Sequence, residues 1–169
     1  MKKILSIFTL IAFSAITGWA QTDAIERFFE SYMDSDDFSS VYVSPRMFDM
    51  IAKAAGDEME GDVADVVKDL KGLNVLKTDI EPMKYYKEAV KKIPLNEFEI
   101  LVKVKDDGQN VRIFSKSDGD IINEVLVLVG GNDEFILMSF VGKINLSKLA
   151  KLAKTLDIEG ANSLELLSD

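Results

Sequence analysis

The chain has 169 residues with neither cysteine nor histidine, and its formal net charge is −9. The absence of imidazole and thiol groups excludes the usual neutral-pH base, the cysteine nucleophile and the ligands of most zinc and copper sites. The negative charge disfavours a nucleic-acid partner. The length suits one domain with its own hydrophobic core.

The first 20 residues have the pattern of a secretory signal peptide. Two lysines near the start precede an apolar stretch from Ile4 to Ile16, and a small-x-small site ends at Ala20. We expect cleavage after Ala20 and a secreted or periplasmic mature domain, residues 21–169. This part of the chain has a net charge of −11, because the signal pattern contains two lysines and no acid. The apolar stretch is too short for stable membrane insertion, and no cysteine is available for lipid attachment.

The first half of the mature chain alternates between helical and strand patterns. Apolar residues recur at helical spacing before Met33, and Ser44 and Pro45 are typical of a helix start. The predicted elements, in chain order, are helix Asp23–Met33, strand Phe38–Val43, helix Pro45–Ala55, a helical pattern at Gly61–Leu70, strand Leu73–Lys77 and helix Pro82–Lys92.

The residue pattern in the second half of the mature chain predicts consecutive strands. Ile100, Val102 and Val104 alternate with other residues, which indicates a strand with one buried face. Asp107 and Gly108 predict a tight hairpin turn. The expected inner pairs are Val104 with Val111, Val102 with Ile113 and Ile100 with Ser115, and the outer pairs are Lys103 with Arg112, Leu101 with Phe114 and Glu99 with Lys116.

Two later runs, Val125–Val129 and Phe135–Val141, are apolar at almost every position, so both faces of these strands require cover. Their register cannot be predicted, because a slip by one residue changes little in a strand that is apolar on both faces. Asn145 is then expected to cap a final helix, Leu146–Leu156. We expect the Asp23–Met33 helix to cover the second sheet face of a monomer, and face-to-face homodimerisation is the alternative.

Helices followed by consecutive strands predict an α+β fold. We expect a two-layer arrangement of a mostly antiparallel sheet with helices on one face, and the N-terminal helix on the other.

One candidate interaction surface follows from the expected hairpin. Leu101 and Phe114, beside Lys103 and Arg112, would form an amphipathic patch on the outer sheet face. Binding and burial under the first helix are equally open for this patch. We expect the methionines Met47, Met50 and Met59 to fill the core rather than to form an adaptable groove.

No catalytic residue, cofactor or metal site is predicted. Asp34–Asp37 is an acidic loop, but an EF-hand that began there would require oxygen ligands and glycine where Phe38, Ser39 and Pro45 stand. The loop is therefore interpreted as a solvated acidic turn.

Three segments carry a resemblance to a known family. They are "IERFFESYMDSDDFSSVYVSPRMFDMIAK", "VVKDLKGLNVLKTD" and "EVLVLVGGNDEFILMSFVGKINLSKLAKLAK". With the signal pattern, they resemble the secreted bacterial family catalogued as domain of unknown function 4252. The resemblance implies a place in the Gram-negative envelope and carries no catalytic residue.

The leading hypothesis is an exported, non-enzymatic interaction module that presents a sheet face or an edge to another component of the cell envelope, either a protein or an apolar ligand. A periplasmic carrier of an apolar ligand, with a pocket between the sheet and the Met-rich helix, is the first alternative. A carboxylate-based hydrolase of envelope polymers is the second.

Overall fold

The computed structural model describes residues 22–55 and 67–149. Its strands are β1 (Ser39–Val43), β2 (Leu70–Thr78), β3 (Glu99–Asp106), β4 (Gln109–Asp118), β5 (Ile121–Gly130) and β6 (Phe135–Ile144). They form one six-stranded sheet in the order β1-β2-β6-β5-β4-β3. Every neighbouring pair is antiparallel.

The helices are α1 (Thr22–Met33), α2 (Pro45–Ala55) and α3 (Pro82–Lys92), with a 3-10 turn at Leu95–Glu97. Residues 67–69 and 146–149 are also helical. The predicted α+β class with an antiparallel sheet is confirmed. None of the described helices is long and apolar enough to cross a lipid bilayer. The signal pattern, Met59, most of the Gly61–Leu70 pattern and the last helix beyond residue 149 lie outside the described residues.

Two helix starts have the predicted side-chain caps. The backbone N–H of Met47 donates to Ser44 Oγ at 3.2 Å, and the backbone N–H of Lys148 donates to Asn145 Oδ1 at 3.1 Å. Each bond satisfies one of the backbone donors that a helix start leaves without an intrahelical partner.

The central strands β5 and β6 are buried on both faces. All residues of 125–130 and 135–140 are buried. Because side chains alternate along a strand, Val125 and Val127 enter one core cluster, whereas Leu126 and Leu128 enter the other. Both faces of the central strands therefore require helices.

On one face the cover comes from α1 and α3. Phe28 and Phe29 of α1 pack in the same cluster as Leu126 and Leu128. That cluster also contains Tyr85, Tyr86, Ala89 and Ile93 of the α3 region. The hydroxyl of Tyr32 in α1 donates a hydrogen bond to Glu88 of α3, which ties the two helices together.

On the other face, Phe48 of α2 packs with Val125 and Val127. Leu149, at the end of the described helical residues 146–149, belongs to the same cluster. The sheet thus carries helices on both faces. The N-terminal helix α1 covers the second face as expected, and it shares that face with α3.

The predicted register of the β3–β4 hairpin holds near its turn and fails further away. Val104 with Val111, Lys103 with Arg112 and Val102 with Ile113 pair as predicted. An irregularity at Leu101 then shifts the register, so that Ile100 lies opposite Phe114 rather than Ser115, and Glu99 opposite Ser115 rather than Lys116. An edge strand has no partner on its outer side, so a bulge in β3 disrupts only one ladder.

The bulge also changes which side chains of β3 are buried. Leu101 and Val102 both pack against the cluster that contains α2. Ile100 is 52% exposed and Val104 is 40% exposed, so the predicted single buried face of this strand is wrong.

Candidate binding groove

A groove of about 510 Å³ lies between α1 and the sheet, and we call it the α1 groove. Its apolar lining comes from Ile25, Phe29 and Met33 of α1, Tyr42 of β1, Pro45 and Val141. Gly72, Asn74, Ser139, Glu124, Lys71, Glu26 and Glu30 complete the lining. Its volume falls within the range of about 300–1,000 Å³ that is typical of ligand pockets.

The helix α1 forms one wall because its apolar residues recur at helical spacing. Ile25, Phe29 and Met33 are each four residues apart, so they follow one line along the helix. Phe29 is 1% exposed and anchors α1 on the sheet. The hydroxyl of Ser40 donates to the carbonyl oxygen of Met33 at 2.9 Å, which fixes the end of α1 beside β1.

The sheet forms the floor through two rows of paired residues. In one row Tyr42 lies opposite Asn74, which in turn lies opposite Ser139. In the next row Gly72 lies opposite Val141, and Val141 lies opposite Glu124. The floor therefore contains polar side chains within an otherwise apolar sheet face.

Glu124 is a partly buried carboxyl group at the inner end of this floor. Its Oε1 accepts a hydrogen bond from Ser139 Oγ at 2.8 Å, and Ser139 is 1% exposed. Burial raises the pKa of the Glu124 carboxyl group, while the Ser139 hydrogen bond and the charge of Lys116 oppose that rise.

The nearest basic residue by strand pairing is Lys116, which lies opposite Glu124 on β4. Its ammonium group is 3.8 Å from the carboxylate of Glu97 and 5.7 Å from the ring centroid of Phe98. No ion pair joins Glu124 to a basic side chain within residues 22–55 and 67–149. The carboxyl group is thus held by one hydrogen bond and faces the α1 groove.

A family model described as "Domain of unknown function (DUF4252)" matches residues 32–152. The chain belongs to the DUF4252 family. The match covers all six strands, including Glu124 and Ser139, whereas Ile25 and Phe29 of the α1 wall precede it. No curated protein and no solved structure matches the chain.

The four residues of the predicted interaction surface do not share one exposed patch in this DUF4252 protein. Phe114 is 1% exposed in the cluster that α1 covers, and Leu101 packs in the opposite cluster. The predicted pairing of Leu101 with Phe114 is wrong because the β3 bulge intervenes. Lys103 is exposed opposite Arg112, whose guanidinium carbon lies 5.8 Å from the ring centroid of Tyr86.

The methionine prediction also requires correction. Met47 is 47% exposed and Met50 is 54% exposed, so neither fills the core. Both belong to α2, on the sheet face opposite to the α1 groove. Across the described residues, no group of three or more acidic side chains is arranged to hold a metal ion.

Sequence reasoning overlooked Glu124 and Ser139, although each leaves a signal. Ser139 is the one polar residue in the run Phe135–Val141, and Glu124 directly precedes the run Val125–Val129. Because side chains alternate along a strand, Glu124 points to the same sheet face as Leu126, which packs in the cluster with α1. A polar residue in phase with a buried face is the signal that marks both positions.

Proposed function

We propose that this DUF4252 protein is an exported, non-enzymatic binding module of the Gram-negative cell envelope, which holds a segment of a partner protein in the α1 groove. The observation that carries the proposal is the groove itself: an apolar helix wall faces a sheet floor with a partly buried carboxyl group. Tyr42, at the β1 end of the groove, is 58% exposed, so a partner has access from the sheet edge.

Export and envelope location form part of the proposal. They rest on the signal pattern that ends at Ala20 and on the family resemblance. We propose that the mature chain begins at Gln21 and works in the periplasm or outside the cell. N-terminal sequencing of the protein recovered from the periplasm or medium tests this, and an intact Met1 on membrane-bound protein would contradict it.

The mature chain is proposed to be a monomer. Helices pack on both sheet faces, which removes the need for a second copy to cover an apolar face. The edge strand β3 is also poorly suited to pair with another β3, because its bulge and the exposed Lys103 and Lys105 oppose regular pairing.

Site-specific photo-cross-linking tests the binding function. Replacing Tyr42 with p-benzoylphenylalanine puts the reactive group at the groove, and the same replacement of Met50 is a matched control with similar exposure on the other face. After irradiation in envelope extract, we expect one protein adduct of defined mass from position 42 and none from position 50. Adducts from neither position, or equal adducts from both, would reject the groove as the binding site.

A carboxylate-based hydrolase of envelope polymers is the second candidate. The raised pKa of Glu124 favours it. A carboxyl group with a raised pKa is suited to act as a general acid, and Glu26 and Glu30 line the same groove. Release of soluble sugars from purified peptidoglycan, lost in Glu124→Gln, would establish this activity. Absence of release on long incubation would reject it for that substrate.

An apolar-ligand carrier has less support. Its expected pocket lay beside the Met-rich helix, but Met47 and Met50 are exposed and do not line the α1 groove.

A further inference from the structure

Glu124 presents a partly buried carboxyl group to the α1 groove and forms no ion pair with a basic side chain of the described residues. Within the described residues its one hydrogen bond comes from Ser139, and Lys116 acts on it through its charge at a distance, because the Lys116 ammonium group lies 3.8 Å from the carboxylate of Glu97. Taking a carboxylate partly out of water without a directly paired cation is unfavourable, and carboxyl groups in such surroundings are found disproportionately at functional sites. A cation supplied by a ligand would complete the interactions of this carboxylate.

Three of the four charged side chains described in the lining of the groove are acidic. Glu26 and Glu30 project from the exposed side of α1 and line the groove with Glu124. Lys71, the one lysine among the described residues of the lining, lies 3.6 Å from Asp49 and is partly neutralised by it. Complementary charge selects partners and accelerates their encounter, so this groove favours a positively charged occupant.

The dimensions favour a short segment of chain over a single side chain. The groove spans four neighbouring strands, from Tyr42 on β1 to Glu124 on β5. Three inter-strand spacings amount to roughly 14 Å. That length corresponds to about four extended residues at about 3.3 Å per residue.

We infer that the occupant of the α1 groove is a basic, amphipathic peptide segment of the partner protein, with a lysine or arginine side chain bound to the Glu124 carboxylate. This inference rests on the proposed binding function and names the class of partner. The aliphatic stem of the basic side chain packs against Val141, which is 37% exposed and lies opposite Glu124, and its charged end meets Glu124, since long basic side chains combine an apolar stem with a polar tip. Ser139 keeps the carboxyl group oriented towards its ligand.

An NMR titration of the mature chain tests the inference. The probes are three capped hexapeptides in which leucine alternates with lysine, glutamate or glutamine, and the signals are the backbone amides of Gly72, Asn74 and Ser139. We expect the lysine peptide to bind with a Kd lower by about tenfold or more than that of the glutamate peptide, as for a charge-assisted contact. Glu124→Gln should reduce this preference to about threefold or less, whereas Glu99→Gln, an exposed carboxyl group outside the groove, should retain it.

Each other outcome overturns a stated part of the inference. Equal binding of the three peptides at the groove would overturn the selection for a cation and leave the binding function intact. Failure of all three to shift these signals would overturn the peptide class, and the cross-link from position 42 then decides the binding function separately. Tighter binding of n-octylammonium than of the lysine peptide would overturn the choice of a peptide.

Discussion

Ser139 and Glu124 lie on adjacent central strands, and the Ser139 hydroxyl donates a 2.8 Å hydrogen bond to the Glu124 carboxyl group inside an otherwise apolar sheet face. The pairing of β5 with β6 makes the contact, because Glu124 lies opposite Val141 and Ser139 lies opposite Leu126, two residues further along. Diagonal neighbours across such a pair are within reach of a glutamate side chain. The register of one hairpin therefore builds the polar part of the α1 groove.

Removal of the Glu124 charge is expected to stabilise the free protein at neutral pH. Because burial raises the folded-state pKa of Glu124 above its unfolded value, the stability linked to this group is full below the unfolded pKa and is lost as pH rises through the folded pKa. Glu124→Gln should therefore have a higher Tm than the parent at pH 7.5. The difference should shrink as pH falls towards about 4.3, the ordinary pKa of glutamate. A lower Tm for the variant at pH 7.5 would contradict the burial argument.

Glu88 should show the opposite dependence on pH. Hydrogen bonds from Lys92 and Tyr32 lower the pKa of Glu88, so its stabilisation is present above the unfolded pKa and is lost as pH falls through the folded pKa. Glu88→Gln is expected to lower Tm at pH 7.5, with the difference diminishing in acid. Thermal unfolding of both variants across the same pH series separates the two signs, and parallel curves would refute the assignment.

Two tyrosines on the same sheet face should respond oppositely to removal of the hydroxyl group. The Tyr32 hydroxyl binds Glu88, and burial, followed by that contact, raises the Tyr32 pKa. Tyr32→Phe should therefore lower the free energy of unfolding by about 0.5–1.5 kcal/mol. The buried Tyr86 hydroxyl has no hydrogen-bond partner within the described ranges, so Tyr86→Phe should leave stability unchanged or raise it by about 1 kcal/mol. Urea unfolding measures both, and an equal loss in the two variants would contradict this distinction.

Gly130 permits the close approach of α3 to the sheet. A Cβ atom added to Gly130 would overlap the Cγ and Cδ2 atoms of Tyr86, whereas one added to Gly72 would lie 3.8 Å from Cβ of Val141, an ordinary contact. Gly130→Ala should destabilise the protein by about 1–3 kcal/mol through overpacking. Gly72→Ala should stay within about 0.5 kcal/mol of the parent. Equal stability of the two variants would show that α3 does not approach β5 this closely.

Calcium is expected to leave the stability unchanged. Asp36, Asp37 and Asp133 line one shallow depression, but Lys77 is also there, 3.4 Å from Glu134. No metal-binding group of acidic side chains occurs in the parts of the chain that the structure describes. Tm measured with millimolar calcium and with chelator should agree within about 1 °C, because a ligand stabilises only the state that it binds. A rise of several degrees with calcium would contradict this expectation.

Local signals predicted much of the fold. The helix Pro82–Lys92 has its predicted bounds because a proline begins it and Pro94 follows its end. The β3–β4 register follows the prediction beside the Asp107 turn, where local geometry dominates. The bulge at Leu101 depends on β3 being the sheet edge, which is a property of the whole fold.

The site was less accessible to sequence reasoning, for a related physical reason. The run Val125–Val129 is apolar on both faces, so its own pattern does not specify a register. The register is set by the turn between β5 and β6, where the Gly131 N–H donates to the Glu134 carbonyl oxygen at 3.0 Å. Only that register brings Ser139 within hydrogen-bonding distance of Glu124. The groove floor therefore depends on a strand pairing that could not be predicted from the sequence.

The most direct test of the binding account is the pKa of Glu124, measured by carbon NMR of its side-chain carboxyl carbon in the free mature chain and with saturating lysine hexapeptide. The account predicts a pKa above the ordinary glutamate range in the free protein, because burial disfavours the charged form. It predicts a decrease when the peptide is bound, since a neighbouring cation stabilises the carboxylate. An ordinary pKa in the free protein, or a raised pKa that saturating peptide leaves unchanged, would contradict it.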